Sequence, residues 1–135
     1  MTMNEFYMIL NNKFGILPPS GDGQDWELTA GTWEQTSDYI NFYHEYIYRL
    51  DDYQKYCMIN MIIQGFDDMF MECLDVDPIY REKIWSRIKE ILVNEKQTHM
   101  ETIIYWSSLE QPLEDAFYCA KYMRELLRAI IGTLL

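Results

Sequence analysis

DDYQKYCMINMIIQGFDDMFMECL, residues 51–74, decides the fold. At 100° per residue, Tyr56, Ile59, Ile62, Ile63, Phe66, Met69, Phe70, Cys73 and Leu74 fall on one broad apolar arc. Asp51 is a suitable N-cap for this segment. The pattern predicts one long helix, running to about Leu74, at the centre of the molecule. The opposite stripe is mixed: Tyr53, Cys57, Asn60, Met61, Gln64, Asp68, Met71 and Glu72, with Asp67 at its edge.

Helical periodicity extends outward on both sides. Thr2 and Glu5 form a capping-box pattern opening a first helix through about Phe14. Gly15–Trp26 (GILPPSGDGQDW) reads as a loop, and residues 24–36 as a short strand or an irregular lead-in. From Ser37, the residues Tyr39, Tyr43, Tyr46, Ile47 and Leu50 mark a second helix. Asp77-Pro78 is a start signal for a fourth, striped by Ile84, Trp85, Ile88, Ile91 and Leu92 and ending near Asn94. Thr98 with Glu101 predicts the cap of a fifth, carrying Met100, Ile103, Ile104 and Trp106. SSLEQP (Ser107–Pro112) is the last turn. A final helix is then expected from Leu113 through Ala116, Phe117, Ala120, Met123, Leu126, Leu127 and Ile130 to a stop near Gly132. The fold expected is all-α, five or six helices, in a single domain spanning residues 1–135.

Composition narrows the function. Of 135 residues 49% are hydrophobic and only ten are Gly or Pro, which excludes a disordered chain. The longest apolar run, Tyr56–Phe66, is interrupted by Asn60 and Gln64 and falls short of a membrane span. The N-terminus lacks the basic start of a signal peptide, so the expected location is the cytoplasm, with no membrane partner. Cys57, Cys73 and Cys119 show neither paired nor zinc-type spacing and read as reduced, mostly buried thiols.

The net charge of -11 is uneven. Fourteen acids face three bases through Ile79, whereas eight of each occur from Tyr80 onward. No Lys or Arg lies between Lys55 and Arg81. Such a field repels nucleic acid and anionic membranes and attracts basic proteins.

Catalytic signatures are few in this chain. DDMFME (Asp67–Glu72) superficially resembles the DDxxD carboxylates of all-α prenyl-converting enzymes, but a second metal motif and a diphosphate-binding base are missing. A Mg²⁺-dependent nucleotide pyrophosphatase of the all-α MazG type needs an ExxE pattern. The nearest acids here are Glu72 and Asp75, with Glu110, Glu114 and Asp115. His44 and His99 complete no ligand set and read as surface or partly buried residues, and Ser107-Ser108 has no nucleophile elbow. No enzyme activity, metal or cofactor is expected.

The acids of the central helix ask for a different explanation. Asp68, Glu72 and Asp75 are expected near its C-terminal end, where the helix dipole is already negative and folding favours Lys or Arg. Asp68 and Glu72 at i,i+4 would also repel each other. Interleaved with Tyr53, Met61 and Met71, these carboxylates suit a recognition surface for a basic partner. The expected contact residues are Tyr53, Asn60, Met61, Gln64, Asp67, Asp68, Met71, Glu72 and Asp75; the 15–36 region is the other candidate interface. Eleven Tyr and four Trp exceed what a core of this size needs, and such residues are favoured binding anchors.

A small, acidic helical chain of this kind, rich in Tyr and Trp, resembles in overall character the immunity proteins of bacterial polymorphic toxin systems, those of contact-dependent growth inhibition above all. The resemblance implies a monomer that neutralises a basic toxin domain, often a nuclease, in a 1:1 complex by covering its active site. It transfers no individual residue. The alternatives are an acidic nucleic-acid mimic that blocks a restriction or CRISPR effector, and the Mg²⁺-dependent pyrophosphatase.

Overall fold

The computed structural model describes residues 1–19, 26–28 and 31–134. Six α-helices carry the chain, with no strand among the described residues: α1 (Met3–Phe14), α2 (Thr36–Glu45), α3 (Asp52–Asp68), α4 (Pro78–Asn94), α5 (Lys96–Ser107) and α6 (Ala120–Leu134). The expected all-α class and helix number are borne out. None of these helices is long and apolar enough to cross a membrane. The chain divides into two units, Met1–Gly65 and Phe66–Leu135, with the boundary inside α3.

In the first unit, local capping sets the helix ends. The Thr2 hydroxyl accepts the Glu5 N–H at 3.1 Å, and Gly15, at φ 70°, closes α1 with its N–H on the Asn11 carbonyl. Asp51 caps α3 as expected. Its carboxylate accepts the Gln54 N–H at 2.8 Å, while the Gln54 amide oxygen accepts the Asp51 N–H at 3.0 Å, a reciprocal capping box. The Gln54 side chain, fully buried, also donates to the Met1 carbonyl at 2.7 Å.

Phe6 and Leu10 of α1 and Tyr39, Ile40, Phe42 and Tyr43 of α2 are buried in this unit, and Phe14 meets Tyr39 edge-on at 4.9 Å. Gly65 marks a close approach. A Cβ there would collide with the Thr36 hydroxyl, which donates to the Trp33 carbonyl at 2.7 Å. The described parts of the region expected as strand or lead-in are 3₁₀ turns, Trp26–Leu28 and Trp33–Gln35; residues 20–25 and 29–30 lie outside the described residues. The second helix ends at Glu45, five residues before Leu50, and a turn follows in which the Arg49 and Leu50 N–H groups share the Tyr46 carbonyl.

In the second unit, Asp77 caps α4 through the Ile79 N–H at 2.9 Å, and Ile84, Trp85, Ile88, Ile91 and Leu92 are all buried as the stripe predicts. Phe66, Trp85 and Tyr122 meet with ring centroids 5.3–5.7 Å apart, tying the end of α3 to α4 and α6. The Tyr122 hydroxyl donates to Glu82 at 2.6 Å. Burial, then this carboxylate, pushes the phenol up to about 12.

Further boundaries differ from expectation, two of them where a distant side chain intervenes. α3 stops at Asp68, not Leu74. Its last turn tightens through Met69, Phe70 and Met71 N–H bonds to carbonyls three residues back, and the Arg81 guanidinium holds the Met69 and Val76 carbonyls. α5 begins at Lys96 after Glu95, so Thr98 lies inside the helix and caps nothing. α6 begins at Ala120, not Leu113. Leu113–Asp115 form a 3₁₀ turn, Ala116 is extended, and the helix runs past Gly132 to Leu134. His99, expected at or near the surface, is buried, whereas His44 is exposed. Cys57 and Cys119 are buried, but Cys73 is exposed, contrary to the core reading.

Candidate partner-binding surface

The early end of α3 redistributes the predicted contact residues. In the first unit, Tyr53 is 51% exposed and stacks with Tyr56 at 6.1 Å. Burial of its hydroxyl, followed by the nearby Cys57 thiol, pushes the Tyr53 phenol up to about 12. Asn60 and Met61 are buried. The Asn60 amide donates to the Tyr56 carbonyl at 2.9 Å, and Met61 lies against Gly31, where an added Cβ would come within 2.7 Å of its Cγ. Gln64 is half-buried. The outward stripe is therefore corrected at Asn60 and Met61. Cys57 through Ile63 are all buried, so this part of the helix has no solvent face.

In the second unit, Asp67 is buried, which is a further correction. Its Oδ1 accepts the Cys119 N–H at 2.9 Å, at the residue just before α6. Burial raises the Asp67 carboxyl above its ordinary value, while the Cys119 and Tyr118 backbone N–H groups pull the other way. Asp68 is half-buried. Met71, Glu72 and Asp75 are exposed, on the connection between α3 and α4 and not on a helix. The i,i+4 helical repulsion expected between Asp68 and Glu72 does not arise, since Glu72 opens the 3₁₀ turn Glu72–Leu74.

This connection concentrates negative charge beside apolar side chains. Asp75 adopts φ 50°, a left-handed conformation that short polar residues tolerate and that turns the chain toward Asp77. Met71 is 41% and Ile79 66% exposed, and Cys73 is exposed beside them in sequence. Arg81, the only base between Lys55 and Lys83, is directed inward. It binds the Met69 and Val76 carbonyls and lies 4.6 Å from the Phe70 ring centroid. Arg81 thus closes the end of α3, and Glu72 and Asp75 are exposed. Among the described residues, no group of three or more His, Cys, Asp or Glu is placed to hold a metal ion.

A second largely exposed region lies within residues 104–117, of which Ser107–Pro112 was expected as a turn and Leu113 onward as helix, with Glu110, Glu114 and Asp115 weighed only as metal-site acids. The available signal was the absence of any Lys or Arg between Lys96 and Lys121. Comparison with protein-family models, curated proteins and solved structures finds no significant match.

Proposed function

We propose that this protein binds a basic protein domain and neutralises it by covering its active site, as an immunity protein does for a cognate toxin such as a nuclease. The observation that carries this reading is the α3–α4 connection, where exposed Glu72 and Asp75 accompany exposed Met71 and Ile79 while Arg81 is engaged internally. Carboxylates there would meet the cations with which a nuclease holds phosphates, and Met71 would fill an adjoining apolar pocket. Charge sets the encounter rate and selects against acidic partners; the desolvated apolar contacts hold the complex. The reading entails a cytoplasmic 1:1 complex, with no direct contact to nucleic acid or membrane.

The test is capture of partners on the tagged protein at low and high salt, with Glu72→Lys/Asp75→Asn as the matched control. The expected result is one basic protein, stoichiometric with the wild type and depleted with the variant. A multisubunit nucleic-acid-binding machine would favour nucleic-acid mimicry instead. Absence of any stoichiometric protein would contradict the reading.

A further inference from the structure

The connection from α5 to α6 encloses a groove of about 600 Å³, within the range of specific binding pockets. Ile104 and Tyr105 of α5, Leu109 and Phe117 form its apolar lining, and Glu110 and Asp115 are its acids. Phe117 rests on the buried Trp106 ring at 4.5 Å and on Tyr105 at 5.6 Å, so the lining is anchored in the core of the unit. Ile104, Tyr105 and Leu109 remain exposed, the last by 58%, although each has apolar surface that burial would stabilise.

The groove is also held in shape. Arg124 of α6 donates from Nε to the Ser107 carbonyl at 2.6 Å, and from one terminal nitrogen to Ser108 at 2.5 Å and Gln111 at 2.7 Å. One guanidinium therefore caps the end of α5 and fixes the following turn. A groove fixed before binding loses less entropy when it is filled. The same three bonds engage the Arg124 guanidinium with backbone carbonyls, and no Lys or Arg occurs from 97 to 120. The charged residues of the lining are acids alone, Glu110 and Asp115, with exposed Glu114 between them in sequence; Ser108 and Gln111 are its neutral polar members.

We infer that this groove receives a segment of the basic partner in which a bulky apolar side chain is flanked by Lys or Arg. Charge complementarity selects that occupant: the lining takes the apolar side chain, and Glu110 and Asp115 pair with the flanking cations. The inference rests on the basic-partner reading and adds to it a second contact surface and the chemistry of the segment that fills it.

The probe is a Lys-Trp-Lys peptide with both ends blocked, titrated into ¹⁵N-labelled protein while backbone amide shifts are followed. Ser-Trp-Ser and Glu-Trp-Glu peptides are the controls, and Glu110→Lys/Asp115→Lys and Glu72→Lys/Asp75→Asn are the variants. All four substituted positions are exposed, where substitution usually changes stability little. The expected result is saturable shifts of amides 104–117 with Lys-Trp-Lys. Affinity should fall by at least about tenfold in Glu110→Lys/Asp115→Lys, the change expected when repulsion replaces two attractions at contact distance. Glu72→Lys/Asp75→Asn should leave it nearly unchanged. Shifts confined to residues 71–79 would overturn the groove assignment and leave the basic-partner reading standing. Equal binding of Ser-Trp-Ser, or shifts of 104–117 that follow protein concentration without peptide, would replace the basic segment by a merely apolar ligand or by a second copy of the chain. No shifts anywhere would overturn the groove assignment, while the basic-partner reading stands or falls on the capture experiment.

Discussion

The Asp67 carboxylate accepts the backbone N–H of Cys119 at 2.9 Å, across 52 residues of sequence. A carboxylate near the end of α3, where that helix's own dipole opposes it, thus meets the positive end of α6. One acid expected among the partner-contact residues thus has an internal partner.

Asp67 makes stability depend on pH. Its folded carboxyl is raised above the unfolded value, chiefly by burial, so the native state binds the proton more tightly. The contribution is fully present below the ordinary carboxylate range and is lost as pH rises through the unfolded value toward the raised folded one. Asp67→Asn retains an acceptor oxygen and cannot ionise. Its melting temperature relative to wild type should improve from the acid range to neutrality. A difference that is flat or opposite in sign, measured by thermal unfolding at several pH values, would contradict this account.

Gly65 is required by the Thr36 side chain. Gly65→Ala places a Cβ against the Thr36 hydroxyl and should destabilise by about 1–3 kcal/mol, the usual range for overpacking. Combined with Thr36→Ala, the loss should be less than additive, because the collision disappears with the hydroxyl. Denaturant midpoints of the two single variants and the double variant supply the cycle.

Arg124 binds three carbonyls as a charged donor, and removing a hydrogen bond of that type typically costs about 1.5–3 kcal/mol. Arg124→Met should destabilise by roughly that amount. Arg124→Lys should recover less than half, since an ammonium lacks the fork that spans the Ser107, Ser108 and Gln111 carbonyls. Urea unfolding of the three proteins distinguishes this from a role for charge alone.

Thiol reactivity should be confined to one cysteine. Cys73 is exposed, whereas burial pushes the Cys57 thiol up to about 12 and raises Cys119 further, with Asp67 adding to the latter. Native protein at pH 8 should release one equivalent of thionitrobenzoate rapidly and three in denaturant. Cys73→Ser should abolish the fast phase. A fast phase that survives this substitution would refute the assignment.

What the sequence made legible was local. Thr2, Asp51 and the Asp77-Pro78 pair act within a few residues of themselves, and each marks its helix start correctly. The buried stripes of α4 and α6 were equally readable, because those helices have one covered side. Arg81 ends α3 from 12 residues away, Asp67 sets the start of α6 from 52, and Arg124 closes α5 from 17. No local pattern announces these caps, so the boundaries at 68, 107 and 120 were misplaced or unexplained. The candidate surface suffered from the same cause. A helical wheel assumes a solvent side, and Cys57–Ile63 has none, so Asn60 and Met61 were assigned outward when they are buried. Glu72 kept its exposure but moved from a helix to a 3₁₀ turn, and Asp75, expected just beyond the helix, is exposed at the end of that turn.

The central claim is recognition of a basic domain through the α3–α4 connection. It is tested most directly by the association rate of the captured partner with wild type and with Glu72→Lys/Asp75→Asn, at two ionic strengths. Asparagine suits the left-handed backbone at position 75, and Asp77 is left intact because it caps α4, so circular dichroism should report an unchanged fold. The account predicts association slowed by about tenfold or more at low salt, with the difference narrowing as salt screens the charges. Equal association rates and equal affinity for the two proteins would remove this segment from the interface.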